Sequence, residues 1–575
     1  MSILVFDTET YDPFLKTRGV GWSINEGHLI AISYVLLNDN LEVIQRDCIN
    51  TFDEFKPIYN QADLIVGANL IYDLGWIGTI GLDYHNKKLC DIFFMASLLN
   101  DEWEISLDGL AYKLLGEKKD YSMYEEAAKI CGGRPTDSQR ANIYRLPFEV
   151  IKKYAQRDAD LTAKIYIELI KEIQEQNLTK LLELENKLIP VLIEMKKRGV
   201  KIDLDKANDV YKDLEKQQTY LKSKILNYNG GEEFNFFSNL QLKKVFDLNG
   251  IPYTYTEKGN PSFSEKSIKE IDHPLIKFLL EYKYLEKIKS TFIQKALIDK
   301  QVNGRLHANF HPLRIGKSGT VSGRFSCTNP NLQQIPSKGE LGKLVRSIFI
   351  PNHENENWVK YDYSQIEYRF LVHFAVGHGV DEIRKQFTDN PDIDYHEIVR
   401  KMILDKTGKD ISRKLCKNIN FGILYGMGGS KLSTTLGVSF EEANGFIMSY
   451  HESLPFIRDT CNTASMVCQS RGFARTLLGR RIRLQDKLYT ALNRILQGSS
   501  ADYLKLVIVK AYEQGLFEEI GYPLITVHDE LNFSCNYAEH REAFNKLENL
   551  MINAFPLKIP LKIDRGIGDN WGELD

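Results

Sequence analysis

At 575 residues the chain is too long for one core, and length alone predicts roughly three or four domains or subdomains. With 43% hydrophobic and 26% charged residues, the composition is that of a soluble globular protein; the net charge of -3 excludes a globally basic nucleic-acid coat but leaves room for a local basic groove. Eight cysteines without a CxxC pair, no apolar run near about 18 residues and no leader-like segment ahead of the first strand predict reduced thiols, no zinc site, no membrane span and an intracellular location.

Residues 1–100 mix short β-rich runs (ILVFD, LIAISYVLL, LIVGAN) with short helices, an α/β pattern. Residues 103–180 read as helical and end in LTAKIYIELIKEI. From Leu182 to about Ile298, LENKLIPVLIEMKKRGV and KFLLEYKYLEKIKSTFIQKAL read as long amphipathic helices separated by a polar loop, NGGEEFNFFSNLQ. Residues 300–375 turn irregular and β-like, and residues 395–515 are mostly helical. The last sixty residues recover strands, notably PLITVHDELNFSC.

The first strand runs from ILVF straight into acid. Residues i and i+2 of a strand share a face, so Asp7 and Glu9 project together. A solvated edge explains such a pair equally well, but further acids follow. Asp73 lies in the apolar GANLIYDLGWI beside Asn69, and Tyr154 and Asp158 in KKYAQRDADLT share a helix face. Carboxylates gathered in one place need cations to stay ionised, and hard oxygen ligands suit Mg²⁺ or Mn²⁺. Asp160 reads as an exposed helix charge and Asp91 as a structural acid. FDTET, Asn–x–x–Tyr–Asp and Tyr–x–x–x–Asp in this order resemble the DEDD 3′→5′ exonucleases of the tyrosine subtype. The resemblance implies that Asp7, Glu9, Asp73 and Asp158 hold two metal ions and that Tyr154 orients the attacking water.

A second acidic set lies downstream. NENWVKYDYSQIEYRF carries Asp362 at a strand end, followed by Glu367. In PLITVHDELNF, His528, Asp529 and Glu530 form an acidic turn between two apolar strands, a hairpin that presents carboxylates. Between them, SRKLCKNINFGILYGMGG repeats Arg413, Lys417, Phe421 and Tyr425 every four residues, one slowly drifting helix face. Two cations followed by two rings read either as a solvated face running into core or as a surface that grips phosphates and stacks a base or sugar.

DYSQIE, R–x3–K–x3–F–x3–YG and VHDE are similar to the three polymerase motifs of family A DNA polymerases, the class of the Klenow fragment. TVSGRFSCTNPNLQQIP, RTLLGRRIRLQD, ALNRILQGSSADYLK and GIGDNWGE agree with it as well. The resemblance implies an α/β chain: an RNase H-like exonuclease domain (1–180), thumb and connecting helices (181–300), palm (301–394), fingers (395–498) and the second part of the palm (499–575). It implies two Mg²⁺ ions, with Mn²⁺ as an alternative, at Asp362 and Asp529, with Glu530 as an auxiliary acid and His528 near the primer end. Arg413, Lys417 and His396 are implied to contact the nucleotide phosphates, Lys417 as general acid for pyrophosphate; a buried structural role competes for His396. Glu367 is implied to be the steric gate against a ribose 2′-hydroxyl, with Tyr425 beside it, and Phe421 to disfavour dideoxynucleotides. Arg324, Asn331, Gln333, Asn493 and Gln497 match minor-groove contacts to primer–template, where every base pair offers acceptors. Lys283, Lys287, Lys289, Arg475, Arg480, Arg481 and Arg483 are candidates for the basic groove.

The function implied is dNTP-dependent DNA synthesis with proofreading, for replication of a phage genome, in a host cytoplasm or an organelle. The implied partners are primer–template DNA and dNTPs, with a helicase and a single-strand binding protein as replisome neighbours of a monomer. Because the first strand starts at residue 3, no 5′-nuclease domain is expected ahead of it. The segment between Arg483 and Asn493 is short for the family, and the thumb lacks a large insertion for a processivity partner. A single-subunit RNA polymerase, a dedicated exonuclease and a decayed DNA-binding factor are the competing readings; Glu367 and the intact acids argue against them.

Overall fold

Strand β1 (Ile3–Tyr11) is the middle of a five-stranded mixed sheet. It pairs antiparallel with β2 (His28–Leu37) and parallel with β4 (Leu64–Gly67); β3 (Val43–Ile49) and β5 (Lys88–Asp91) form the edges. A central strand is covered on both faces, which is why ILVF and LIVG do not alternate with polar residues. The structure, a computed structural model, describes residues 2–574 apart from 316–317, 409, 425–426 and 485. Helices α1 (Leu70–Gly78) and α2 (Phe148–Glu175) lie against this sheet and carry its outlying acids. Asp91 is the structural acid expected: its buried carboxylate accepts the backbone N–H groups of Asn69, Leu70 and Phe93, so it fixes the start of α1. Asp160 is paired with Arg46 at 3.3 Å.

Helix α3 (Thr179–Arg198) connects the sheet domain to the rest of the chain. The region expected as the thumb follows as α4 (Leu204–Leu226), α5 (Asn239–Leu248) and α6 (Pro274–Glu286), the last continued by a wider helical stretch over Lys287–Ile298. Its outer part has a small core of its own around Phe236, Leu242, Phe246 and Leu279. The parts expected as the palm come together in a four-stranded antiparallel sheet of order β7 (Ile525–Val527), β8 (Glu530–Cys535), β6 (Asn357–Tyr363), β9 (Ile563–Gly568). Helices α7 (Ile366–Phe374), α8 (Tyr395–Thr407) and α9 (Arg413–Leu424) leave this sheet, and α10 (Ala491–Glu513) returns to it. The anticipated boundaries at 180 and 498 fall inside α3 and α10, so these helices are shared between units rather than linking them loosely. The last sixty residues are not only strands: α11 (Arg541–Asn553) buries Ala543, Phe544, Leu547 and Met551 on one face behind the palm sheet.

Arg480 is a correction to the basic groove. Its guanidinium is buried and bonded to Glu185 of α3 and to Asp502 of α10; the Nε–Oδ1 bond to Asp502 is 2.8 Å. Lys505, fully buried, completes the cluster with Glu185 at 2.7 Å and the Pro312 carbonyl at 2.6 Å. Two acids and two bases thus neutralise each other where the connecting helix α3 meets α10, and none is left as a free groove cation. Arg481 is likewise turned inward, donating to the Gln176 carbonyl at 3.2 Å, and Lys289 is held at 3.6 Å by Glu286. Truncating Arg480→Ala leaves two buried carboxylates short of a partner, and is expected to destabilise the protein by about 3–5 kcal/mol. Chemical denaturation of the variant checks this; a midpoint equal to wild type contradicts it.

Candidate active sites

The first site is built on β1. Asp7 and Glu9 share a face of the strand, and α2 brings Asp158 over them, one turn beyond Tyr154. Carboxylate oxygens of Asp7, Glu9 and Asp158 all lie within 4.8 Å of one another. Burial, reinforced by the neighbouring carboxylates, pushes Asp7 up to about 7 and Glu9 well above the ordinary range. Asp73, on α1, sits beside this trio but outside it: its Oδ1 accepts from the Thr8 N–H at 3.0 Å and the Thr8 hydroxyl at 2.6 Å. Burial and then Asp7 raise its pKa strongly. The Tyr154 hydroxyl is buried against the same acids, and its pKa is raised by burial first and by Glu9 next.

Nothing in the sequence pointed to Lys119. It lies in LGEKKDYS, between two helices, yet its ammonium contacts the Asp158 carboxylate and lies 5.4 Å from the Tyr154 ring. Burial works against its charge, but Asp158, Asp7 and Glu9 outweigh this and raise its pKa. The donor set fits a hard divalent cation: three converging carboxylates, with Asp158 Oδ1 buried and without a hydrogen-bond partner.

The second site is built on the palm sheet. Asp362, next to last on β6, stands opposite Glu530 on β8 and Asp564 on β9. Val527 pairs with Glu530, which leaves His528 and Asp529 as a two-residue hairpin turn. His528 adopts φ 58°, a left-handed conformation that a non-glycine residue takes at a cost and that turns Asp529 toward β6. Burial, then Asp529 and Glu530, push Asp362 up to about 7, and burial pushes Asp529 up to about 6. A cavity of about 530 Å³ is lined by both acids together with Lys360, Gln333, Lys338 and Tyr284 of the thumb.

Glu530 faces inward and is held there. Its Oε1 accepts from Asn532 at 2.6 Å and from the Trp571 indole at 3.3 Å. Asn532 accepts in turn from Trp358 at 2.8 Å, and the two indoles stack with centroids 5.8 Å apart. The Arg346 guanidinium lies 4.1 Å from the Trp571 ring centroid. The C-terminal motif GIGDNWGE therefore acts through Trp571 as a lock on the third acid.

Arg413, Lys417 and Phe421 of the expected cation–aromatic stripe lie on α9. Arg413 pairs with Asp394, Nε–Oδ2 2.6 Å, while Lys417 is exposed and lies 5.9 Å from the Phe421 ring. Phe421 packs edge-on against Tyr368 at 5.2 Å and lines a second cavity of about 550 Å³ with Asn418, Gly422, Met427, Lys431 and Tyr489. Tyr425 lies outside the described residues. His396 is only 2% exposed, its Nδ1 bonded to the Asn420 amide at 2.9 Å, and burial lowers it to about 4. It is a neutral, packed histidine here rather than a phosphate-facing cation. Glu367 and Arg324 form an ion pair beside Asp529. Gln333 donates to the Thr526 carbonyl at 3.0 Å, and Asn331 caps the short turn that carries Gln333. Asn493 and Gln497 lie half-buried on the first turns of α10, one turn apart, with Asn493 Oδ1 buried and lacking a partner.

Residues 204–573 match DNA polymerase family A, and residues 1–174 match a 3′-5′ exonuclease domain. The chain is 28% identical over 598 aligned positions to the DNA polymerase DpoZ of Acinetobacter phage SH-Ab 15497, covering 96% of this chain and 94% of that one. It is 30% identical to a DNA-directed DNA polymerase of Pseudomonas phage M6, over 88% of this chain and 83% of the relative. The fold is similar to the POL domain of Pol1 from M. smegmatis, solved in complex with DNA primer-template and dNTP, with a TM-score of 0.78 at 23% identity over 95% of this chain and 94% of that chain. With both acid clusters formed on their own sheets and each sheet inside the matching region, the chain is a DNA-directed DNA polymerase of family A that carries a 3′-5′ exonuclease domain ahead of the polymerase region.

Proposed function

We propose that the palm cluster extends a primer by adding dNTPs and that the β1 cluster removes mispaired 3′ nucleotides, each with its own residues. The observation that carries this reading is the pair of partly buried carboxylate sets on two separate sheets, one on β1 and α2, the other on β6 and the β7–β8 hairpin. Asp362 and Asp529 in one site, and Asp7, Glu9, Asp73 and Asp158 in the other, would hold Mg²⁺-type cations, which when bound would supply charge neutralisation and lower the pKa of an attacking oxygen.

The chain's own residues do the rest. Lys417 and Arg413 on α9 bind the triphosphate, and Lys417 gives a proton to the departing pyrophosphate. Phe421 and Tyr425 pack against the incoming nucleotide. His528 and Gln333 border the primer end, with Arg324, Asn331, Asn493 and Gln497 reading pair shape along the minor groove. Glu530, pinned by Asn532 and Trp571, contributes charge without leaving the sheet. His396 serves by supporting α9 through Asn420. In the editing site Tyr154 orients the attacking water between Asp158 and Glu9. The setting that fits is replication of a phage genome in a host cytoplasm, by a monomer working beside a helicase and a single-strand binding protein. No helix among the described residues is long and apolar enough to cross a membrane.

Glu367 borders the nucleotide sugar, and its carboxylate fills the space that a 2′-hydroxyl requires. Glu367→Ala should lower discrimination against rNTPs by about 10- to 100-fold. Single-nucleotide incorporation with paired dNTP and rNTP measures this; unchanged discrimination removes the gate from the account. The division of labour is tested by extending matched and mismatched primers with variants of each site, as set out in the Discussion.

A further inference from the structure

The exonuclease cluster contains a cation that the chain itself supplies, and the surrounding structure is arranged to deliver it. The loop that carries Lys119 is strapped to α2, the helix of Tyr154 and Asp158, because Glu117 pairs at 2.7 Å with both Arg157 and Lys164 of that helix. The Lys119 backbone N–H donates to Asp108 Oδ1 at 3.0 Å, which fixes the point where the side chain turns inward. From there the stem runs into the site: the side chain is only 14% exposed, its ammonium meets Asp158 Oδ2, and it lies 5.4 Å from the Tyr154 ring. Lys118, the preceding residue, lies instead over the exposed Tyr112 ring at 5.6 Å, so the inward course belongs to position 119 and not to the loop's charge in general.

Resting on the assignment of this cluster as the editing site, we propose that Lys119 is a positioning residue that doubles as a competitor for the divalent cation. It holds Asp158 and Tyr154 in register. It also occupies one oxygen of the only cluster member contributed by α2, so a divalent ion must displace the ammonium before Asp158 can act as a ligand. Three carboxylates bearing one ammonium are less attractive to a divalent ion than three bare ones. The editing site would therefore fill at a higher metal concentration than its carboxylates alone dictate. In the palm cluster, Lys360 acts to lower Asp362 and Arg324 acts to lower Asp529, but burial and the neighbouring acids outweigh both.

The experiment is a Mn²⁺ titration followed by electron paramagnetic resonance. It uses the full chain with Asp362→Asn and Asp529→Asn in place, so that the palm cluster does not contribute. Lys119→Met, which keeps the apolar stem and removes the charge, should bind Mn²⁺ at least about tenfold more tightly than the parent. Lys119→Arg should restore the parent affinity. Lys119→Gln gives a second charge-free variant, and a melting curve together with unimpaired primer extension in the palm-intact protein shows that the fold is kept. Equal or weaker Mn²⁺ binding in both charge-free variants overturns the proposal. Asp7→Asn in each background separates the two claims. If Mn²⁺ binding at this site survives Asp7→Asn, the cluster is not the metal site and the proposal falls with that assignment. If binding is lost with Asp7→Asn but is indifferent to Lys119, only the role of Lys119 is refuted.

Discussion

Primer extension should fall by about 10³-fold or more in Asp362→Asn, while removal of a mispaired 3′ nucleotide continues at the wild-type rate. The asparagine keeps the size and hydrogen-bonding capacity of the side chain, so β6 can retain its pairing with β8 and β9. What is lost is the charge. Asp362 is half-buried beside Asp529 and Glu530, and desolvation followed by these neighbours makes its ionised form costly, which is the arrangement of a group meant to be balanced by a cation. Neither neighbour can replace it. Asp529 sits on a turn whose course is set by the left-handed His528, and Glu530 is tied to Asn532 and Trp571. Single-turnover extension of a matched primer, with gel-resolved 3′-end removal as the internal control, measures both halves of the expectation.

Asp7→Asn should have the mirror-image effect: editing lost by about 10³-fold, extension from a matched end unchanged. Asp7 is the member of the β1 cluster that touches every other acid electrostatically. It raises Glu9 and Asp73 and is itself raised by Asp158. It is anchored within a central strand, so the substitution changes charge without freeing the backbone. Removing one acid also leaves Lys119 facing fewer carboxylates, which strengthens its hold on Asp158 relative to any divalent ion. The variant is therefore expected to be deficient even at raised metal concentration. Recovery of full editing at high Mn²⁺ would mean that Asp7 is peripheral.

Much of this arrangement was legible in the chain, for reasons that can be named. Asp7 and Glu9 were readable because strand geometry puts i and i+2 on one face, and Tyr154 with Asp158 because one helical turn does the same. Asp529 was readable because an acid between two apolar strand runs suits a hairpin turn, though the turn is His528–Asp529 and Glu530 already belongs to β8. What was not legible is what depends on contact between distant segments. Arg480 looked like a groove cation because its neighbours in sequence are basic; only the meeting of α3 and α10 beside it shows that Glu185 and Asp502 consume its charge. Lys119 has no periodic or motif signal at all, and its role follows from a loop strapped to α2. His396 matched a pattern but is enclosed by Tyr368, Tyr395 and Phe421, and ring packing of that kind leaves no trace in spacing. Helix α11 was overlooked because the strands on either side of it dominate the hydrophobic pattern, although its apolar residues at 543, 544, 547 and 551 keep helical spacing.

The central claim is that synthesis and editing are separate chemistries of one chain. The most direct measurement is the sequence of the products made from a primer with a mispaired 3′ end, using wild type, Asp7→Asn, Asp362→Asn and a mixture of the two variants. Wild type should yield long products with the mismatch corrected, Asp7→Asn should yield only products that retain it, and Asp362→Asn should yield only shortened primers. The mixture should restore long, corrected products, because one variant trims what the other extends. Corrected products from Asp7→Asn alone, or lengthening by Asp362→Asn alone, at rates near those of wild type would contradict the assignment of the two sites.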